Sequence, residues 1–479
     1  MSTDELLQSL RTKDAAYWQR LGEERALSVF HEAAERVPAY KDFLKKNSVN
    51  HEKILSIKDF SHFVPHTDKK IYIESYDRKD LQWQHMKQGA VVYSSSGTSG
   101  KPTYWLRFSR HDEEAVLFHE ILLKKFFHIE KYKTLFLDCF AMGIHVAGFT
   151  TATSIQHLLG TYPHILLATP GSKKEDIINT LLAWQQEVDQ VVFIGYPPLI
   201  KDIVHESIAQ GVEWGKLKKG FLFAAQGFSE KWRSYLKELV QGDEETPIIN
   251  LYGSADAGAM AFETPYTIQV RQKIEEGEFS FPVPLHNLDG SVPYLFQYLP
   301  DKKFFESFQN ELLVTSDNGI PLLRYNIHDI GGVIASDVIG SNDTQAEFQL
   351  PCVYLYGRSN YTAVFYGANI YPEHVQHSIE YSSLFEQMTG RFIMEVAEDD
   401  VLQQGFHIHV ETKHGMNHGS ETVQTLWQEI TDHLCKINRE FLVVFREMKN
   451  ERNVHIHIHE YESPLFASKK MKHTYLKKR

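Results

Sequence analysis

The run Tyr93-Ser94-Ser95-Ser96-Gly97-Thr98-Ser99-Gly100-Lys101-Pro102-Thr103 concentrates hydroxyls, two glycines and one lysine in a few residues. Glycine permits turns that side chains forbid. Successive backbone N–H groups in such a turn form a nest for anionic oxygens. The serine and threonine hydroxyls add donors, and Lys101 adds a positive charge. This is chemistry for gripping phosphate. Apolar residues flank the run, Ala90 to Tyr93 before it and Tyr104 to Leu106 after it. It therefore reads as the loop of a hairpin rather than as a linker. It is not a P-loop. Only Thr98 and Ser99 separate Gly97 from Gly100-Lys101, where that motif needs four residues, and Pro102 follows the lysine.

Four further segments carry reactive or binding groups. Asn250-Leu251-Tyr252-Gly253-Ser254-Ala255-Asp256-Ala257-Gly258 follows an apolar strand and is a turn of small residues with one carboxylate. Leu322-Leu323-Arg324-Tyr325-Asn326-Ile327-His328-Asp329-Ile330 offers an aspartate, which can accept both hydroxyls of a ribose. An Arg–Asp pair closing a β-turn is the alternative reading there. Tyr356-Gly357-Arg358 precedes Tyr366-Gly367-Ala368-Asn369-Ile370-Tyr371-Pro372-Glu373, and the chain closes on a basic tail with Lys469, Lys470 and Lys472. His407 and His409, then His455, His457 and His459, alternate with apolar residues. Imidazoles bind zinc, but the period of two fits an exposed polar strand face better.

In this order the segments resemble the motifs of the adenylate-forming enzymes, the acyl-CoA synthetases, adenylation domains and their relatives. The first is similar to Ser-Ser/Thr-Gly-Thr-Thr/Ser-Gly-x-Pro, which implies a grip on the departing pyrophosphate by Ser94, Ser95, Ser96, Gly97, Thr98, Ser99, Gly100 and Lys101. The second resembles Tyr-Gly-x-x-Glu. Tyr252, Gly253 and Ser254 would line the adenine site, and the acidic residue would help hold Mg²⁺ and the α-phosphate region. Asp256 stands where glutamate is usual, one methylene shorter. Mg²⁺ tolerates few distortions, and a bridging water would restore the contact. The third, spelled Arg-Tyr-x-x-x-Asp, is closest to the phenylacetate-CoA ligase branch and implies Asp329 on the ribose and Arg324 near the phosphates.

The fourth resembles the start of the family's mobile C-terminal domain, with Arg358 on the ribose or phosphates. Asn360 occupies the hinge slot where Asp or Lys is usual. Asparagine tolerates unusual φ, so a hinge survives the change. The fifth matches a family tail lysine that often follows glycine. No Gly-Lys pair exists here; Lys469 aligns best, and Lys470 and Lys472 are further catalytic candidates. Val37-Pro38-Ala39-Tyr40 and Pro65-His66-Thr67-Asp68-Lys69 also look like phenylacetate-CoA ligase relatives.

The resemblance implies ATP as substrate, Mg²⁺, and two half-reactions: a small carboxylic acid attacks the α-phosphorus to give an acyl-adenylate, and a thiol then takes the acyl group. Coenzyme A is the preferred acceptor; a carrier protein or an amine fits too. An acid pocket is expected near Phe140, His145, Tyr196, Ala225, Gln226 and Gly227. A non-catalytic nucleotide-binding protein is the reading from another class.

The elements that must position these groups follow from periodicity. Residues 14 to 80 read as helices. Ser109-Arg110-His111-Asp112 is a capping-box pattern opening another. Strands are expected at 134–140, 164–168, 190–194, 220–225 and 247–252, alternating with helices at 151–159, 173–186, 197–209 and 229–240. Such alternation predicts right-handed crossovers and a largely parallel sheet, with ligands at the carboxyl ends of its strands. From 279 to about 353 short strands suggest a small β subdomain. Beyond 358 strands at 363–366, 391–397, 405–411 and 453–460 and helices at 372–381 and 421–439 make an α+β unit. The expected fold is α/β: a large domain over 1–358 with mixed, largely parallel sheets, helices and the small β subdomain, then a small mobile α+β domain over 359–479.

Composition excludes several classes. With 50 Lys and Arg against 62 Asp and Glu, the net charge of −12 argues against a nucleic-acid surface. The three cysteines, Cys139, Cys352 and Cys435, are too far apart for a disulfide framework or metal motif and fit a reducing compartment. No apolar run is long enough for a membrane span, and the start lacks a basic-then-apolar signal, so a cytoplasmic protein is expected. Oligomeric state is not legible.

Overall fold

The computed structural model describes residues 2–83, 89–94, 103–278, 281–282, 292–335, 346–358, 363–366, 368–398, 404–416, 419–447 and 453–466. Strands β1 (Val91–Ser94) and β2 (Tyr104–Arg107) form an antiparallel hairpin, Ser94 opposite Tyr104. Of the connection between them, residues 95–102 lie outside the described residues.

The parallel half of the main sheet comes from β3 (Thr134–Asp138), β4 (Ile165–Ala168), β5 (Gln190–Gly195), β6 (Lys218–Ala224) and β7 (Ile248–Ser254). Helices Val146–Leu158, Lys174–Trp184, Pro197–Ala209 and Glu230–Leu239 make the crossovers. Every residue of β3 and β5 is buried, as expected where helices cover both faces. The sequence pattern placed these elements closely, with one shift. The helix expected from 151 starts at Val146, because its first turn is polar-poor and lacks the usual cap signal. The helix Ser109–Phe127 is capped differently from the expected box. Its N-cap is Phe108, whose N–H donates to Nδ1 of His111 at 3.0 Å.

After β7 the chain reverses into β8 (Gly258–Phe262), and the sheet turns antiparallel through β9 (Tyr294–Gln297), β10 (Phe304–Phe308), β11 (Glu311–Ser316), β12 (Leu322–Ile334) and β13 (Cys352–Arg358). The spatial order is β10-β11-β12-β13-β9-β8-β7-β6-β5-β3-β4. The short strands of the β region therefore continue the parallel sheet edge to edge. The N-terminal helices clamp onto β12: Thr67 donates its N–H to the Arg324 carbonyl at 3.1 Å and accepts from the Asn326 N–H at 2.7 Å.

Past β13 come the hairpin β14 (Ala363–Phe365) and β15 (Ala368–Ile370), the helix Pro372–Glu380, and a three-stranded sheet of β16 (Met388–Glu398), β17 (Gln404–Thr412) and β18 (Val454–His459). One face of that sheet, with Phe406, Ile408, Val410, Val454 and Ile456, packs on Leu426, Ile430 and Leu434 of the helix Ser420–Ile437. The same apolar cluster runs on into the large sheet through Phe385, Ile200 and Phe228. The other face carries the five histidines, half-buried rather than exposed. They alternate stacking and hydrogen bonding: His407 lies 4.5 Å from His455, Nδ1 of His407 is 2.9 Å from Nε2 of His457, and His409 pairs likewise with His459. Among the described residues no three His, Cys, Asp or Glu side chains converge as a metal site, and no helix is long and apolar enough to cross a membrane.

Candidate active site

Among the described residues, the segments around Tyr252, Asp329 and Arg358 come together. β7 delivers Tyr252, whose ring is buried against Phe296 and Phe305 and whose hydroxyl donates to the Asp329 carboxylate at 2.6 Å. Asp329, on β12, is 4% exposed and stands opposite the backbone of Arg358 on β13. Residues separated by 77 positions thus share one hydrogen bond, and a third segment forms the adjoining strand.

The turn after β7 places Asp256 half-buried, its carboxylate accepting from the Tyr325 hydroxyl at 2.8 Å and its carbonyl from Asn318 at 3.0 Å. Burial and the neighbouring Asp256 charge push the Tyr325 phenol well up, so it remains a donor. Ser254 closes the turn by accepting from the Ala257 N–H at 3.0 Å. Gly253 lies against the Gly258 carbonyl, a distance that leaves no room for a Cβ. Sequence reading marked Asp256 but missed Tyr325 and Asn318 as its supports. Tyr325 sat inside a motif already singled out, and nothing in the spelling said where its hydroxyl would go.

The β1–β2 hairpin is fixed to the segment before the helix Val146–Leu158. Ser94 donates its N–H to the Ile144 carbonyl at 3.0 Å and bridges to His145, the residue preceding the helix Val146–Leu158. Ser95, Ser96, Gly97, Thr98, Ser99, Gly100 and Lys101 lie outside the described residues, as do Asn360 and the tail lysines Lys469, Lys470 and Lys472.

The expected acid-pocket residues occupy neighbouring strand ends. Phe140 is buried just after β3, and its N–H donates to the Asp138 carboxyl at 3.1 Å. Asp138 is fully buried, with Oδ2 lacking a partner, and burial pushes its carboxyl up to about 8. The Tyr196 hydroxyl donates to the Gln226 side chain. Ala225 holds φ +75°, a left-handed turn that a β-carbon adopts at a cost. The Tyr294 ring covers the Cα of Gly227.

Arg324, expected near the phosphates, is engaged with the N-terminal helices and β10. It is buried with φ +46°, its Nε 3.2 Å from Glu306, its guanidinium bonded to the Val64 carbonyl and lying over Phe60 and Phe308. It braces the N-terminal helices on β12.

Comparison with solved structures accords with this arrangement. The chain aligns with a 2-hydroxyisobutyryl-CoA ligase in its postadenylation state, in complex with an acyl-AMP, at TM-score 0.71 and 12% identity over 98% of this chain and 92% of that one. The fold is that of the adenylate-forming ligases. Against the same ligase in an open conformation with CoA the score is 0.57 at 11% identity, covering 95% and 90% of the two chains. Against its thioesterification state it is 0.55 at 11% identity, covering 98% and 91%. No protein-family model and no curated protein sequence matches the chain. At this identity the likeness establishes the fold.

Proposed function

We propose that this protein is an ATP-dependent acid–thiol ligase of the phenylacetate-CoA ligase type, with coenzyme A as acceptor. The observation that supports the reading is the 2.6 Å bond between Tyr252 and Asp329, with Trp105 of the β1–β2 hairpin in the same apolar cluster as Tyr252. Asp329 accepts the ribose hydroxyls, held in orientation by Tyr252. The 95–101 loop receives the β- and γ-phosphates. Asp256, oriented by Tyr325, is a hard oxygen donor of the kind Mg²⁺ takes, with phosphate oxygens and water completing the shell. When bound, the ion shields the charge that builds on the phosphates. The acid lies among Phe140, His145, Tyr196, Gln226 and Gly227, so that a carboxylate oxygen faces the α-phosphorus. That oxygen forms a bond to phosphorus as the bond to pyrophosphate breaks. Lys469, with Lys470 or Lys472 as substitutes, steadies the carboxylate and α-phosphate. The thiol then displaces AMP from the acyl carbon. The site acts by position and charge rather than through a covalent enzyme intermediate.

The aspartate at 256 and the missing Gly-Lys pair favour the second reading, a protein that binds nucleotide without turnover. Pyrophosphate release with ATP across a panel of carboxylic acids, each with and without CoA, separates the two. Release that depends on one acid, and is lost in Asp256→Asn, supports the ligase. ATP binding with no release for any acid supports the second.

A further inference from the structure

Lys201 sits on the helix Pro197–Ala209 of the large domain, 1% exposed, and reaches into the C-terminal unit. Its Nζ donates to the Met388 carbonyl at 3.1 Å and the Thr389 carbonyl at 2.9 Å, and lies 4.9 Å from the centre of the Phe385 ring. These acceptors exist because β16 bulges there. Pairing jumps from Met388–Thr412 to Phe392–Val410, so Thr389, Gly390 and Arg391 stand opposite Glu411 alone. A bulge frees carbonyls from the ladder, and Gly390 makes the turn at φ +84°. Other bonds across the contact run from Gln376 to the Gly227 carbonyl at 2.8 Å, from the Ser229 N–H to Glu380 at 3.0 Å, and from Tyr381 to Glu275 at 2.8 Å.

Hydrogen bonds to carbonyls replace only part of an ammonium's hydration, and a buried charge with no counter-charge in contact is held at a cost. Rotation of the C-terminal unit would return that charge to water. We propose that Lys201 is a positioning residue that keeps docking of the C-terminal domain reversible: its carbonyl bonds fix the docked orientation, and hydration of its ammonium favours release. Asp202 and Glu380 act on the cation favourably, while Lys174 and Lys413 oppose it; Lys413 itself stands 2.9 Å from His205 across the contact. Burial lowers the Lys201 amine from 10.5 to about 8. The docked form therefore holds fewer protons than the released one between those values. Docking strengthens as pH rises from about 8 toward 10.5, and below 8 it gains nothing further from this group.

The test is the distance between dyes on the exposed positions Lys216→Cys and Asp432→Cys in a Cys435→Ser background of the full chain. The docked-to-released ratio in the parent is expected to rise with pH above 8. In Lys201→Met that slope falls by up to tenfold per pH unit, and the domain is more fully docked at pH 7. An unchanged slope overturns the proposal. If Lys201→Met does not fold, Lys201→Gln, which keeps donors without charge, decides by the same criterion; failure of both to fold makes the residue purely structural and also overturns it. Slower acyl transfer with unchanged adenylate formation is a further expectation that rests on the proposed ligase reading. Absence of all adenylation would remove that arm and leave the distance measurement standing.

Discussion

Asp329 and Arg324 are five positions apart on one strand and have opposite fates. The strand is irregular between them, with positive φ at Arg324 and His328 and a register shift against β11, and one side chain meets Tyr252 while the other meets Glu306. Asp329→Ala removes hydrogen bonds to a charged acceptor. It is expected to weaken ATP binding by about 1.5–3 kcal/mol in calorimetry while the chain stays folded. Arg324→Met leaves Glu306 buried without its partner. The expected result is about 3–5 kcal/mol of lost stability in denaturant unfolding, with nucleotide affinity unchanged in the fraction that remains folded. The motif spelling made Asp329 legible in the sequence. It did not show that Arg324 bonds to Glu306 and the Val64 carbonyl, because spelling records neighbours along the chain and not contacts across it.

At the scale of elements, the parallel strands and their crossover helices were readable because each is a short apolar run bounded by turn residues. The helix Pro197–Ala209 falls where periodicity put it. The continuity of the β region with the parallel sheet was not readable, since strand order depends on pairings remote in sequence such as β9 with β13. Nor was the environment of Asp138. The end of β3 is covered on both faces, so its carboxyl is held protonated, up to about 8 against an ordinary 3.8. The sign follows from proton counts. Between these values the unfolded chain gives up the proton and the folded chain keeps it, so stability is full below 3.8 and falls as pH rises toward 8. Asp138→Asn keeps an acceptor for the Phe140 N–H and removes the ionisation. It is expected to unfold at higher denaturant than the parent at pH 8, with the gain fading below pH 4. Equal midpoints at pH 8 would mean that the carboxyl ionises freely in the fold.

Across the whole molecule, one apolar cluster joins the large sheet to the C-terminal unit, and polar contacts rim it at Gln376, Tyr381 and Lys201. A second apolar cluster, within the large domain, contains Tyr252 and Tyr325, the residues that hold Asp329 and Asp256. The order of the motifs was visible in the sequence. The docking of the C-terminal unit was not, because it is made by contacts such as Gln376 with Gly227, which no local pattern records. Activation of a carboxylic acid at the site around Asp329 is the central claim, and isotope transfer tests it most directly. An acid that supports pyrophosphate release is supplied with ¹⁸O in its carboxylate, together with ATP and CoA, and the AMP is weighed by mass spectrometry. Attack of the carboxylate on the α-phosphorus leaves the bridging oxygen with AMP when the thiol displaces it, so the expected product is AMP carrying one ¹⁸O per turnover. Unlabelled AMP, or no AMP with any acid under conditions where ATP binds, would contradict it.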